Sequence, residues 1–141
     1  MAVVATVSNH FKYQLMAKAV SILSDTFKLV FMNSSFAFDK DTHATYADIS
    51  ANEISAGSGY TTGGMTITLS SLTEDDTNDK ATALWTQYVF TATGAVGPVG
   101  AAVVIDTTVT EKTVVMCIDF GTDYTLSNGD QLKITPKLDG S

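Results

Sequence analysis

Residues Val115 to Thr135 read VMCIDFGTDYTLSNGDQLKIT, and this stretch decides the fold class. In Gln131 to Thr135 the apolar Leu132 and Ile134 alternate with Gln131, Lys133 and Thr135. A period of two buries one face of a strand and wets the other. Asn128-Gly129 is a dipeptide that tolerates the positive φ of a tight turn. The whole reads as strand, acidic loop, Asn-Gly turn and strand, and none of its residues is set up for chemistry.

Upstream of it, Ala101 to Asp106 and Thr113 to Phe120 form a pair of strands joined by the polar Thr107 to Lys112. Ala81 to Trp85 and Tyr88 to Thr93 make one bent strand or two short ones, preceded by the charged surface turn Glu74 to Asp79. Met65, Ile67 and Leu69 alternate with Thr66, Thr68 and Ser70, the cleanest strand pattern in the chain. An early strand, Thr26 to Met32, sets Phe27, Leu29 and Phe31 against Lys28, Val30 and Met32. Between it and the glycines of GSGYTTGG (57–64) lies the polar stretch Asn33 to Glu53. That is long for a compact domain, and such loops are functional or packed at an interface. It has room for a half-turn of helix around Tyr46 to Ile49.

At the N-terminus, Ser8 and Asn9 are of the type whose side chains cap a helix. Phe11, Leu15, Ala19 and then Ile22 or Leu23 follow at helical spacing, which predicts an amphipathic helix over Asn9 to Val20. So short a helix must pack on something. Its own sheet is the expected support, and an arm to a neighbouring subunit is the alternative. The expected fold is therefore all-β. It is one domain over residues 1–141, an antiparallel β-sandwich or barrel of about seven short strands. One short N-terminal helix or arm occupies about residues 1–20.

Composition excludes several classes of function. Fifteen acidic residues face eight lysines, no arginine is present, and the net charge is −7. Arginine is the residue suited to bidentate grips on phosphate and guanine, and an acidic chain is repelled by nucleic acid and by anionic lipid. Neither nucleic acid nor membrane is expected as a partner. No stretch approaches the ~20 apolar residues of a membrane helix. The longest, Gly94 to Ile105, is interrupted by Gly97, Pro98 and Gly100. MAVVATVSNH (1–10) lacks the basic start of a secretory signal, so a soluble protein made in a cytoplasm is expected. The one cysteine, Cys117, sits between Met116 and Ile118 as a small buried hydrophobe and has no partner for an internal disulfide.

Each motif with a chemical look has a plainer reading. Asp119-Phe120-Gly121 imitates the kinase magnesium motif, but a kinase needs a catalytic-loop arginine that this chain lacks. Phe120 is expected to plug the core at a strand end, with Gly121 permitting the bend. GSGYTTGG lacks the Gly-Lys-Ser/Thr ending of a phosphate loop and precedes a strand, so it is a turn. Asp75, Asp76, Asn78 and Asp79 fit no calcium loop spacing and read as a solvated turn. Asp39, Asp41 and His43 form D-x-D-x-H, too common a combination to define a metal site. His43 with Asp39 or Asp41, close to Ser34 or Ser35, is the only set worth testing for hydrolase chemistry. Neither histidine pairs with a plausible nucleophile, and His10 is expected on the surface. No catalytic, metal or cofactor-binding residue is assigned and no cofactor is expected.

Several segments in this order resemble a family of small virion proteins of tailed bacteriophages. They are TFKLVFMNSS (26–35), Asn52-Glu53 with GSGYTTGG, FTATGAVG (90–97) and CIDFGTDYTLSNGDQLKIT (117–135), and together the resemblance spans about Asn9 to Pro136. Two departures stand out. GAV continues into GPVGAAVV where the family more often carries a tyrosine and a polar turn, and Thr93 replaces the expected arginine. The resemblance implies a structural role and no enzymatic one. The expectation is a capsid decoration (cement) protein on the outer surface of the head, contacting the major capsid protein and neighbouring copies of itself as a trimer or cluster. A head-fibre or tail adaptor, or a receptor-binding module in low copy number, is the alternative. Either way the anchor is expected in Met1 to Val20 or in Asn33 to Glu53.

Overall fold

A computed structural model describes residues 3–140. β1 (Val4–Val7) leads into α1 (Asn9–Met16), β2 (Phe27–Asn33) and the one-turn α2 (Tyr46–Ile49). β3 (Met65–Ile67), β4 (Leu69–Asp75), β5 (Lys80–Trp85) and β6 (Tyr88–Thr91) follow. The long β7 (Val96–Asp106) and β8 (Thr113–Leu126) precede β9 (Gln131–Ile134) and β10 (Lys137–Gly140). Every strand pairing is antiparallel. A five-stranded sheet in the order β1-β8-β7-β2-β3 is accompanied by β10-β5-β4 and by the β6-β9 pair.

The five-stranded sheet is buried on both faces. Phe27, Leu29 and Phe31 of β2 and Ala102 and Val104 of β7 pack in one cluster with Trp85, Phe90, Leu132 and Leu138 of the smaller sheets. The intervening Val30, Met32, Ala101, Val103, Ile105 and Cys117 form a second cluster on the opposite face. What covers that face is the stretch after β2. Phe36, Phe38, Tyr46 and Ile49 lie on it, and Val114 N donates to Ala44 O while Tyr46 N donates to Lys112 O, both at 2.9 Å. The expected long polar loop is thus an internal cover whose apolar residues seal the sheet. Ile49, the fully buried one of the four, contributes about 1.5–3 kcal/mol. The half-turn at Tyr46–Ile49 is present, with Thr45 and Asp48 forming a reciprocal capping box.

The all-β reading and the single N-terminal helix at Asn9 are borne out, and several details differ. The described residues contain ten strands, not seven, arranged in layers and not as a closed barrel. Met65 to Leu69 is not one strand. The chain leaves the large sheet at Thr68, whose carbonyl accepts Thr86 N at 2.8 Å, and enters the three-stranded sheet as β4. Such corners let one chain serve two layers. The acidic loop of residues 119–123 lies inside β8. Between the pairs Ala101–Asp119 and Val99–Tyr124, four residues of β8 oppose Gly100 alone, a wide bulge opened by Gly121 at φ 73°. Phe120 does plug the core, but the strand runs on past it. Asn128-Gly129 makes a turn without making a hairpin. Gly129 N donates to Ala92 O at 2.8 Å, so the turn docks on the end of β6 and delivers β9 to the two-stranded sheet.

The helix ends four residues early. Ala19 N donates to Gln14 O and Lys18 N to Leu15 O, the paired bonds of a left-handed stop, with Lys18 at φ 64°. Its N-terminus also differs. Ser8 stands at the cap position without a side-chain capping bond; its hydroxyl donates to His43 O at 3.4 Å, and Asn9 Nδ2 bonds Asp41. The helix start is tied to the 33–53 cover instead of being capped by itself. Among the described residues no helix is long and apolar enough to cross a membrane.

Candidate functional site

The early stop of α1 leaves its apolar residues outside. Of the predicted stripe only Phe11 is buried on α1, and Val20 is buried in the turn beyond it. Met16 is 84% exposed, Tyr13 62% and Leu23 73%. Among the described residues, six of the nine exposed large hydrophobic side chains (Val3, Val4, Tyr13, Leu15, Met16 and Leu23) fall within residues 3–23. The two segments expected to carry an anchor meet there: Asn9 N donates to Lys40 O at 3.0 Å, and β1 pairs on the large sheet against β8. The N-terminal segment therefore packs on its own sheet over the described residues. His10 is half-buried, not a free surface residue. Its Nε2 lies 2.7 Å from Glu111 Oε1, which also accepts Gln14 Nε2 and Thr113 Oγ1. The His10 bond, aided by Thr113 and Gln14, holds the Glu111 carboxyl below its ordinary range.

The acidic motifs are occupied with turn geometry. Asp39 Oδ1 accepts Asp41 N at 2.9 Å, while Asp39 N donates to His43 Nδ1 at 3.0 Å. His43 stacks on Phe36 at 5.3 Å, and Ser35 N donates to Asn33 Oδ1 at 3.0 Å. No hydrogen bond joins His43 to Ser34 or Ser35 among the described residues. Asp75 accepts Thr77 N, Asn78 N and Asn78 Nδ2, closing the β4–β5 turn. No group of three or more His, Cys, Asp or Glu side chains able to hold a metal occurs among the described residues. Cys117 is buried, and burial followed by the nearby Asp119 pushes its thiol up to about 12.

GSGYTTGG is a turn whose work is to aim Tyr60 inward. Gly57 and Tyr60 exchange backbone bonds, and a Cβ on Gly64 would strike the Leu29 carbonyl. The Tyr60 hydroxyl donates to Glu53 and accepts Phe31 N at 3.1 Å. The same Glu53 carboxylate accepts the Tyr46 hydroxyl and, at 2.8 Å, Gly63 N. Burial, then the Glu53 bond, pushes Tyr46 up to about 12 and raises Tyr60 further. This knot joins the 33–53 cover to the glycine turn and to β2. Glu53→Ala is expected to cost about 2–3 kcal/mol by stranding buried donors, read as a lower urea midpoint with an unchanged slope. A neighbouring cleft of about 310 Å³ is lined by Asn33, Glu53, Ser58 and Gly97, but both Glu53 oxygens are already bonded.

Sequence reasoning missed one pair. Asp106 ends β7 with no exposed surface; Oδ1 accepts Thr108 N at 2.9 Å, and Oδ2 has no hydrogen-bond partner among the described residues. Burial first, then the facing carboxyl of Asp25, raises Asp106 to about 7. Asp25 itself caps the turn by accepting Ser21 N at 3.0 Å. The available signal was a charged residue closing the unbroken apolar run AAVVI (101–105). No family model, curated protein or solved structure matches this chain.

Proposed function

We propose that this protein is a structural virion component of a tailed bacteriophage, a capsid decoration protein bound in many copies to the outside of the head. The observation that carries the reading is the cluster of exposed apolar side chains at the N-terminal end, Tyr13, Met16 and Leu23 foremost. Apolar groups displayed on a rigid β scaffold suit docking onto a broad protein surface, where aromatic residues dominate affinity. The ordered family-like segments and the acidic, arginine-free composition support the outer face of a DNA-filled shell. The major capsid protein is the proposed partner, and the role is not enzymatic.

Densitometry of purified particles tests the placement directly. Decoration requires a copy number comparable with that of the major capsid protein. A few dozen copies or a location on the tail would make the protein an adaptor, and absence from particles would end the virion reading. The surface has its own test in Tyr13→Ala with Met16→Glu. Both sites are exposed, so stability should change by less than about 1 kcal/mol, while shell binding should fall about 10-fold or more. Full occupancy by the double variant would move the docking surface elsewhere.

A further inference from the structure

We infer that β1 pairs antiparallel with β1 of a second copy of this chain, centred on Ala5, joining the two five-stranded sheets into one continuous sheet. The inference is independent of where the protein acts. β1 is an edge strand that pairs only with β8 among the described residues. Ser8 N donates inward to Val115 O at 2.9 Å. Backbone groups alternate in direction along an antiparallel strand, so Thr6 and Val4 also bond β8. Ala5 and Val7 turn their N–H and C=O groups outward.

Sheet edges are ordinarily protected by charge, proline, bulges or shortness. Several other edges follow that rule: β4 carries Glu74 and Asp75, β9 carries Lys133, β10 carries Lys137 and Asp139, and β3 has three residues. β1, four residues long, has no charge, proline or bulge. Residues Val3 to Val7 read VVATV, the register with β8 is unbroken, and Val3 and Val4 are 62% and 53% exposed. Beside its outer edge lies a groove of about 390 Å³, with Leu138 and Asp139 as the far wall.

Charge selects a second copy as the occupant. At the Val4 end, Asp119 and Asp123 line a hollow with Val4. At the Val7 end, Lys12 and Lys40 line the groove with Val7 and Asp139; Asp139 is paired with Lys80 and Lys137, and neither Lys12 nor Lys40 is ion-paired among the described residues. A two-fold axis through Ala5 sets Val4 opposite Thr6 of the second copy and Val3 opposite its Val7. The acidic end of each edge then meets the basic end of the other, twice over. An isologous contact needs this kind of self-complementarity.

Sedimentation velocity of the full chain over a dilution series is the test. The expected result is a concentration-dependent monomer–dimer equilibrium. Ala5→Pro removes an outward N–H from each copy while sparing the ladder to β8, and should weaken dimerisation about 10-fold or more. Lys40→Asp should also weaken it, and adding Asp119→Lys to Lys40→Asp should restore it. The charge exchange decides the matter even if Ala5→Pro fails to fold. A monomer at every concentration, a trimer, or a dimer indifferent to the charge exchange would overturn the inference.

Discussion

Deleting Met1 to His10 should unfold the protein, not merely release it from a partner. Sequence alone reads residues 1–20 as a short helix or arm and as one of two candidate anchors. The structure makes residues 4–7 a strand. β1 contributes four residue pairs to β8, and its loss uncovers the edge beside Met116, Cys117 and Ile118, all of them buried. Removing His10 also breaks its bond to Glu111, and removing Ser8 and Asn9 detaches the helix start from the 33–53 cover. The expected loss is on the order of 5 kcal/mol, comparable with the total stability of a small domain. Circular dichroism and urea titration of the truncated chain would show it. A cooperative transition at the full-length midpoint would mean that β1 is an accessory strand.

Asp106→Asn should stabilise the protein above pH 7 and flatten its pH dependence below that. The sign follows from the raised Asp106 value. An aspartate at 3.8 when unfolded and about 7 when folded keeps its proton in the folded state after the unfolded chain has released it. Its contribution is therefore fully present below about pH 4 and is lost as pH rises through about 7. That interval corresponds to at most about 4 kcal/mol. Asparagine supplies a permanent N–H where the protonated acid supplied O–H, and its carbonyl still accepts Thr108 N. Thermal midpoints at pH 5 and pH 8 should fall for the native chain and stay level for Asp106→Asn. This window lies above the acid range in which Asp39, Asp48 and Glu111, all held below their ordinary values, would titrate. Parallel profiles for the two proteins would show that Asp106 carries no proton at neutral pH.

What could be read from the chain was whatever depends on neighbours along it. Alternation at Gln131 to Thr135 and Met65 to Ile67, the turn at Asn128-Gly129 and the half-turn at Tyr46–Ile49 were all legible, because side-chain period and turn chemistry are local. So was the burial of Cys117. The paired apolar runs Ala101–Asp106 and Thr113–Phe120 were legible too, whereas β1 and most of β4 were not. β1 reads as an apolar arm and β4 as polar surface, and each becomes a strand only when a distant partner supplies its ladder bonds. The extent of α1 was overestimated because periodicity continues through Lys18, where the backbone turns left-handed to redirect the chain. The same stop converts Leu15 and Leu23 from expected core to exposed surface. Nor does the 33–53 stretch announce itself as a cover. Its aromatic residues stand among polar ones, and their burial depends on a second apolar sheet face that Val30, Met32 and Val103 create together. Asp25 and Asp106 meet across 81 positions of sequence, brought together by the β2–β7 register. Local chemistry thus determined the element types and the all-β class. Long-range pairing alone decided which strands form edges, which apolar residues stay outside, and which carboxyl loses its water.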